Sequence, residues 1–124
     1  MMTPAKTRSP ADVLPLRSVD FLVLLMLARG ERHGYGIMQD VQAGTDGRTE
    51  LEAGSLYRTI RRLADEKLLE ESARRPAAES DDERRRYYRL TPFGRRVVAA
   101  EATRLRSLVR LAEDARLLLP EPAR

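Results

Sequence analysis

Arg58, Arg61 and Arg62 fall within a single helical turn of one another, with Ser55 and Tyr57 just ahead of them. Arginine is permanently charged and presents a planar fork of donors that fits phosphate and the guanine edge, while serine and tyrosine hydroxyls donate to phosphate oxygens. The residues between them decide whether these groups can act together. Leu56, Ile60, Leu63 and Ala64 stand at i, i+4, i+7 and i+8, which places an apolar stripe along one side of an α-helix. The segment from about Ala53 to Glu66 thus reads as a short amphipathic helix with Ser55, Tyr57, Arg58, Arg61 and Arg62 on its outer side. Such a helix fits a DNA major groove, its stripe docked on a core and its donors turned outward. The plainer reading is a solvated helix laced by Arg61/Asp65 and Arg62/Glu66 pairs at i, i+4, with Tyr57 a half-buried aromatic against the hairpin that follows.

Other chemistries find little support. Cysteine is absent and His33 is the only histidine in the 124 residues, which removes disulfides, thiolate metal sites and multi-histidine sites. No cofactor is expected. Asp81, Asp82 and Glu83 form the one dense carboxylate run, in a polar stretch with no apolar pocket to raise a pKa. No glycine-rich phosphate loop or nucleophile elbow occurs, so an enzyme is the weakest class. A formal net charge of +4 and a pI near 9.9 agree with a polyanionic partner. The longest apolar run, Phe21 to Ala28, is far short of a membrane span. The opening Met-Met-Thr-Pro-Ala-Lys lacks the apolar centre of a secretory signal, and a cytoplasmic location is the expectation.

The elements that must carry the arginines follow from punctuation and period. Residues 1–15, with Pro4, Pro10 and Pro15, read as a mobile basic tail. A helix is expected from Ser18 to Arg29, with Ser18 as N-cap, Asp20 favouring the helix dipole and Gly30 as the stop. Its centre is apolar nearly all round, as a buried hub requires. Arg29 to His33 reads as a turn, and a second helix carries Ile37, Met38 and Val41. Gly34 and Gly36 at its start suggest a close backbone approach. His33 fits a structural or capping role better than catalysis.

After the arginine helix, Lys67 to Ala73 and Arg85 to Leu90 read as strands, Tyr88 and Leu90 on one face and Tyr87 and Arg89 on the other. The charged loop between them makes a β-hairpin whose root carries Arg84, Arg85 and Arg86. Thr91-Pro92 opens a last helix, expected to run to about Leu119. Val98, Leu105, Ala112 and Leu119 recur every seventh residue, with Leu108 and Ala115 in the alternate seam. A chain this small has no second layer to cover that stripe, so a two-fold dimer is the economical reading.

The fold expected is mainly α with a small β-hairpin wing: a winged helix-turn-helix domain over residues 16–91, a C-terminal dimerisation helix over 92–119 and a short tail over 120–124. Three motifs stand in matching order: His33-Gly-Tyr-Gly-Ile37; Gly54-Ser-Leu-Tyr-Arg58 with Arg62-Leu63; and Arg86-Tyr-Tyr-Arg-Leu-Thr-Pro-Phe-Gly94. Together they resemble the PadR-like transcriptional regulators, in particular the smaller subgroup with a single short C-terminal helix. The resemblance spans about Leu16 to Val98 and implies binding to double-stranded DNA, a homodimer formed through the last helix, repression at a pseudo-palindromic operator and, in some members, a small-molecule effector. Nothing in the sequence names that effector. Glu52-Ala53 stands where the family often has Ser-Pro, bringing a carboxylate to the start of the arginine helix. A protein-binding adaptor that uses the same fold without reading DNA is the alternative.

Overall fold

The computed structural model describes residues 8–72 and 86–120. A 3₁₀ turn, Pro10–Val13, precedes α1 (Ser18–Ala28), β1 (Arg32–His33), α2 (Gly34–Gly44), α3 (Ala53–Asp65), β2 (Leu69–Glu71), β3 (Tyr87–Leu90) and α4 (Pro92–Asp114). The strands form an antiparallel sheet in the order β1-β3-β2. Leu69 pairs with Leu90 and Glu71 with Tyr88 across the hairpin, and Arg32 pairs with Tyr88 on the other side of β3. The hairpin expected from alternation is therefore present, though the sheet gains β1 where the sequence suggested only a turn. A two-residue strand is too short to show a period.

α1 is the hub. Val23, Leu24, Met26 and Leu27 are buried, and they meet Ile37 and Val41 from α2, Leu56, Ile60 and Leu63 from α3, Tyr88 and Leu90 from β3, and Val97 from α4. Its N-cap is Arg17 rather than Ser18, with no side-chain cap bond. α2 begins as its glycines suggest. His33 is the N-cap and its Nδ1 accepts from the Gly36 amide at 2.9 Å, while its ring meets Tyr87 edge-on at 5.4 Å. α4 opens as its punctuation foretells, the Thr91 hydroxyl accepting from the Gly94 amide at 2.9 Å. A Cβ on Gly94 would collide with the Leu68 carbonyl oxygen, so only glycine lets α4 seat against the start of β2.

Helix ends depart most from expectation. α2, α3 and α4 each close with paired backbone bonds that turn the chain through a left-handed residue: Asp46 (φ +53°), Lys67 (φ +65°) and Arg116 (φ +56°). In α4, the Arg116 amide reaches the Glu113 carbonyl and the Leu117 amide reaches that of Ala112, the Schellman pattern. Glycine usually holds the left-handed position; arginine here gave no stop signal. The last helix consequently ends at Asp114, not near Leu119.

The mobile-tail expectation is corrected for residues 8–15. The Ser9 amide bonds Asp12 Oδ2 at 2.8 Å to close the 3₁₀ turn, and the Leu16 amide bonds Glu101 Oε2 at 2.7 Å. Arg8 reaches the Glu66 carbonyl at 2.6 Å and stacks over Phe93, its guanidinium carbon 5.1 Å from the ring centre. The segment is strapped across α4.

Candidate nucleic-acid interface

α3 forms because its sequence satisfies both the helical period and the core. Leu56, Ile60 and Leu63 are buried against α1 and α2, and the outer arc holds Ser55, Arg58 and Arg61. Arg58 and Arg61 are exposed, and an Arg58 nitrogen lies 3.3 Å from Ser55 Oγ. Glu52 is the N-cap and supplies no side-chain bond to the helix start.

Tyr57, expected on the same outer face, is placed elsewhere, whereas Arg62 stays at the edge of that face, its side chain 39% exposed and held by a carboxylate. Tyr57 is only 7 % exposed. Its hydroxyl lies so close to Gly34 that a Cβ there would collide with it, which accounts for glycine at the start of α2. The tyrosine is thus a core residue joining the helices of the helix-turn-helix, because it lies on the boundary of the apolar arc and α2 offers it a gap. Arg62 forms a fork-to-fork pair with Asp20 of α1, its nitrogens 2.8 Å from both carboxylate oxygens. Asp20 is 5 % exposed, and its hydrogen bond with Arg62 raises the guanidinium pKa against the effect of burial. The expected Arg62/Glu66 pairing gives way to this longer-range partner. Sequence reading gave Asp20 to the helix dipole. The signal it missed was a carboxylate directly ahead of the apolar run Phe21–Ala28, a place where burial demands a cation.

Beside α3, an open groove of about 820 Å³ runs between the start of α1 and the outer arc, lined by Arg17, Asp20, Glu50, Glu52, Ser55, Arg58 and Arg62. Its charge is mixed. At the hairpin, Arg86 lies 3.8 Å from Glu71, and Arg89 pairs with Glu70 at 3.0 Å. The Ser72 hydroxyl donates to Glu31 at 2.9 Å. Arg84, Arg85 and the acidic run at 81–83 lie outside the described residues. Among the described residues no cluster of side chains could hold a metal ion, and no helix is long and apolar enough to cross a membrane.

The residues expected at a dimer interface separate along α4. Val98 is buried in the protomer's own core and is corrected accordingly, since the first turns of α4 must cover α1. Leu105 and Ala112 are partly exposed, and Leu108 and Leu111 are 47 % and 64 % exposed. Ala115 is the C-cap, its amide still bonded to the Leu111 carbonyl, while Leu119 lies past the helix end and does not continue the stripe.

The transcriptional regulator PadR-like family model matches residues 23–100. Among curated proteins, none matches the chain. Solved structures show the same fold. A transcriptional regulator from Clostridium thermocellum is 23% identical with a TM-score of 0.64, covering 77% of this chain and 87% of its own. A PadR family regulator from Clostridium difficile R20291 is 23% identical with a TM-score of 0.64, covering 79% and 97%. A PadR-like regulator from Bacillus cereus has a TM-score of 0.66 at 17% identity, covering 82% and 93%. With α1, α2, α3 and the β2–β3 wing in helix-turn-helix order, the chain belongs to the PadR-like family: it is a DNA-binding transcriptional regulator and not an enzyme.

Proposed function

We propose that the protein acts as a homodimeric repressor that lays α3 in the major groove of a pseudo-palindromic operator in the cytoplasm. The observation that carries this reading is the division of α3: its apolar side is consumed by the core while Ser55, Arg58 and Arg61 face outward. A helix so mounted presents successive turns to neighbouring bases, and a bidentate arginine–guanine contact discriminates by roughly 1–3 kcal/mol. Arg86, with Arg84 and Arg85 beyond the described residues, supplies phosphate contacts at the wing. Leu105, Leu108 and Ala112, with Leu111 beside them, form the seam of the dimer, which sets operator half-sites about one helical turn, roughly 10 base pairs, or a multiple apart. Occupying promoter DNA in this way excludes polymerase, hence repression.

The test is a binding-selection profile of the wild type and of Arg58→Ala and Arg61→Ala at fixed salt, followed by a salt titration. The wild type should select a two-fold symmetric site whose affinity falls steeply with salt. At least one variant should lose preference at symmetric positions while its non-specific affinity changes far less. If both variants keep the wild-type preference, α3 is not the reading element. A salt-insensitive interaction without sequence preference would instead favour the adaptor.

A further inference from the structure

We propose that the Asp20–Arg62 pair sets the rotation of α3 about its own axis, so that Asp20, which lies on α1 beneath the reading helix, governs sequence discrimination. The proposal rests on the DNA reading above and adds to it positioning residues on different helices.

The geometry carries it. Arg62 lies on the polar arc of α3, beside Ser55 and Arg58, yet its guanidinium is held by both oxygens of a buried carboxylate at 2.8 Å. The partners are 42 residues apart, so the bond ties elements that the chain itself does not hold together. A planar fork on a planar carboxylate fixes direction as well as distance, unlike the apolar contacts of Leu56, Ile60 and Leu63, which tolerate sliding. The anchor point is firm, because Asp20 sits in the first turn of the hub helix. At a helix radius of about 5–6 Å with side chains, a rotation of about 20° moves the outer groups by roughly 2 Å. Hydrogen bonds to base edges tolerate only a few tenths of an ångström before they weaken. An ion pair with one buried partner is weak evidence for stability in itself, since desolvation of the carboxylate offsets much of the attraction, and the best-attested use of such pairs is to fix register.

The experiment measures affinity for the selected operator and for a random duplex, with the salt slope of each, for wild type, Asp20→Asn, Arg62→Gln and the double variant. Asp20→Asn removes a negative charge and releases Arg62, so a purely electrostatic account expects tighter binding to every sequence. The positioning account expects the ratio of specific to non-specific affinity to drop about ten-fold, the size of one lost base contact, with random-duplex affinity kept or raised. Arg62→Gln should lower the ratio similarly at unchanged salt slope. The double variant, whose amides can pair, should recover part of it. Partial unfolding scales both affinities alike and leaves the ratio untouched; Arg62→Lys, which keeps the charge but loses the fork, provides a milder variant if glutamine does not fold. Wild-type discrimination in Asp20→Asn, or a slope flattened by about one unit in Arg62→Gln, overturns the proposal and makes Arg62 a phosphate contact. Absence of any selection by the wild type overturns the DNA reading, and this proposal with it.

Discussion

α3 and α4 are written in the same code and end with opposite surfaces. Each carries an apolar stripe at helical spacing and an arginine-rich remainder. In α3 the large residues of the stripe are covered by its own chain, with Leu56, Leu63 and Ile60 at 0 %, 0 % and 3 % exposure and Ala64 partly buried. What it offers another molecule is its charged side. In α4 the cover stops near Glu101: Val97 and Val98 are buried, whereas Leu108 and Leu111 stand open. What α4 offers is its apolar side. Amphipathic spacing shows that a helix has a face needing cover, and the reach of the remaining elements decides whether the same chain provides it.

Both helices are also tied near the start of α1 through a buried carboxylate. α3 uses Arg62 on Asp20; α4 uses Glu101, which is 1 % exposed, bonded to Arg104 and to the Leu16 amide.

The sharpest way to break this comparison is the same truncation in both helices. Leu63→Ala should destabilise the protomer by about 2–5 kcal/mol, as expected for a fully buried leucine. Leu111→Ala, at 64 % exposure, should change protomer stability by less than about 0.5 kcal/mol and act only on association. Denaturant unfolding measured across protein concentration separates the effects. Equal losses at high dilution would mean that α4 is covered within the protomer after all.

Next in size is the seam. If α4 forms the proposed dimer, Leu105→Glu with Leu108→Glu should raise its dissociation constant at least about 100-fold, since each leucine contributes roughly 1.5–3 kcal/mol when buried. Analytical ultracentrifugation should then find folded monomers. A double variant that stays dimeric would place the interface elsewhere and leave the open face of α4 unexplained.

Much of this was legible in the sequence because it is written in periods. The stripes of α3 and α4, the all-round apolarity of α1 and the alternation at Tyr88 and Leu90 each predict their element correctly. What was not legible is set by tertiary partners. Tyr57 and Arg62 lie in or beside the outward arc by spacing; only the gap at Gly34 takes Tyr57 into the core, and only the carboxylate of Asp20 holds Arg62 at the edge of the arc. Lys67 and Arg116 end helices in the left-handed conformation without the glycine that would announce it. The strap at residues 8–16 has no period, being held by bonds to Glu66 and Glu101, the stacking of Arg8 on Phe93 and the scattered apolar contacts of Val13, Leu14 and Leu16.

The tie on α4 makes a smaller, pH-dependent prediction. The bond from Arg104, and after it the Leu16 amide, hold the Glu101 carboxyl below the usual carboxylate range, against the opposing effect of burial. A depressed folded value means the stabilisation is fully present above the unfolded value and is lost as pH falls through the folded one. Glu101→Gln should cost about 1–2 kcal/mol at neutral pH and should flatten the decline in urea midpoint between neutral pH and strong acid. An identical acid profile in wild type and variant would assign that decline to other carboxylates.

The smallest effect is expected at the wing, where arginines already have carboxylate neighbours. An arginine that meets phosphate with no competitor should flatten the slope of log affinity against log salt by about one unit when removed. Arg86 lies 3.8 Å from Glu71, with its side chain 40% exposed. A phosphate must therefore displace or share that carboxylate, and an exposed pair of this kind is worth at most about 1 kcal/mol. Arg86→Ala should accordingly flatten the slope by less than one unit. Glu71→Gln should tighten binding to any duplex slightly, because it releases the guanidinium. The contrast expected with Arg58, on the outer arc of α3, is one of kind: Arg58→Ala should change which sequence is bound, and Arg86→Ala should change how tightly all sequences are bound. Random-duplex affinities measured from about 50 to 200 mM salt for these variants decide it. A full-unit change in Arg86→Ala with no effect of Glu71→Gln would show that Glu71 does not compete and that the wing is as open to polyanions as α3.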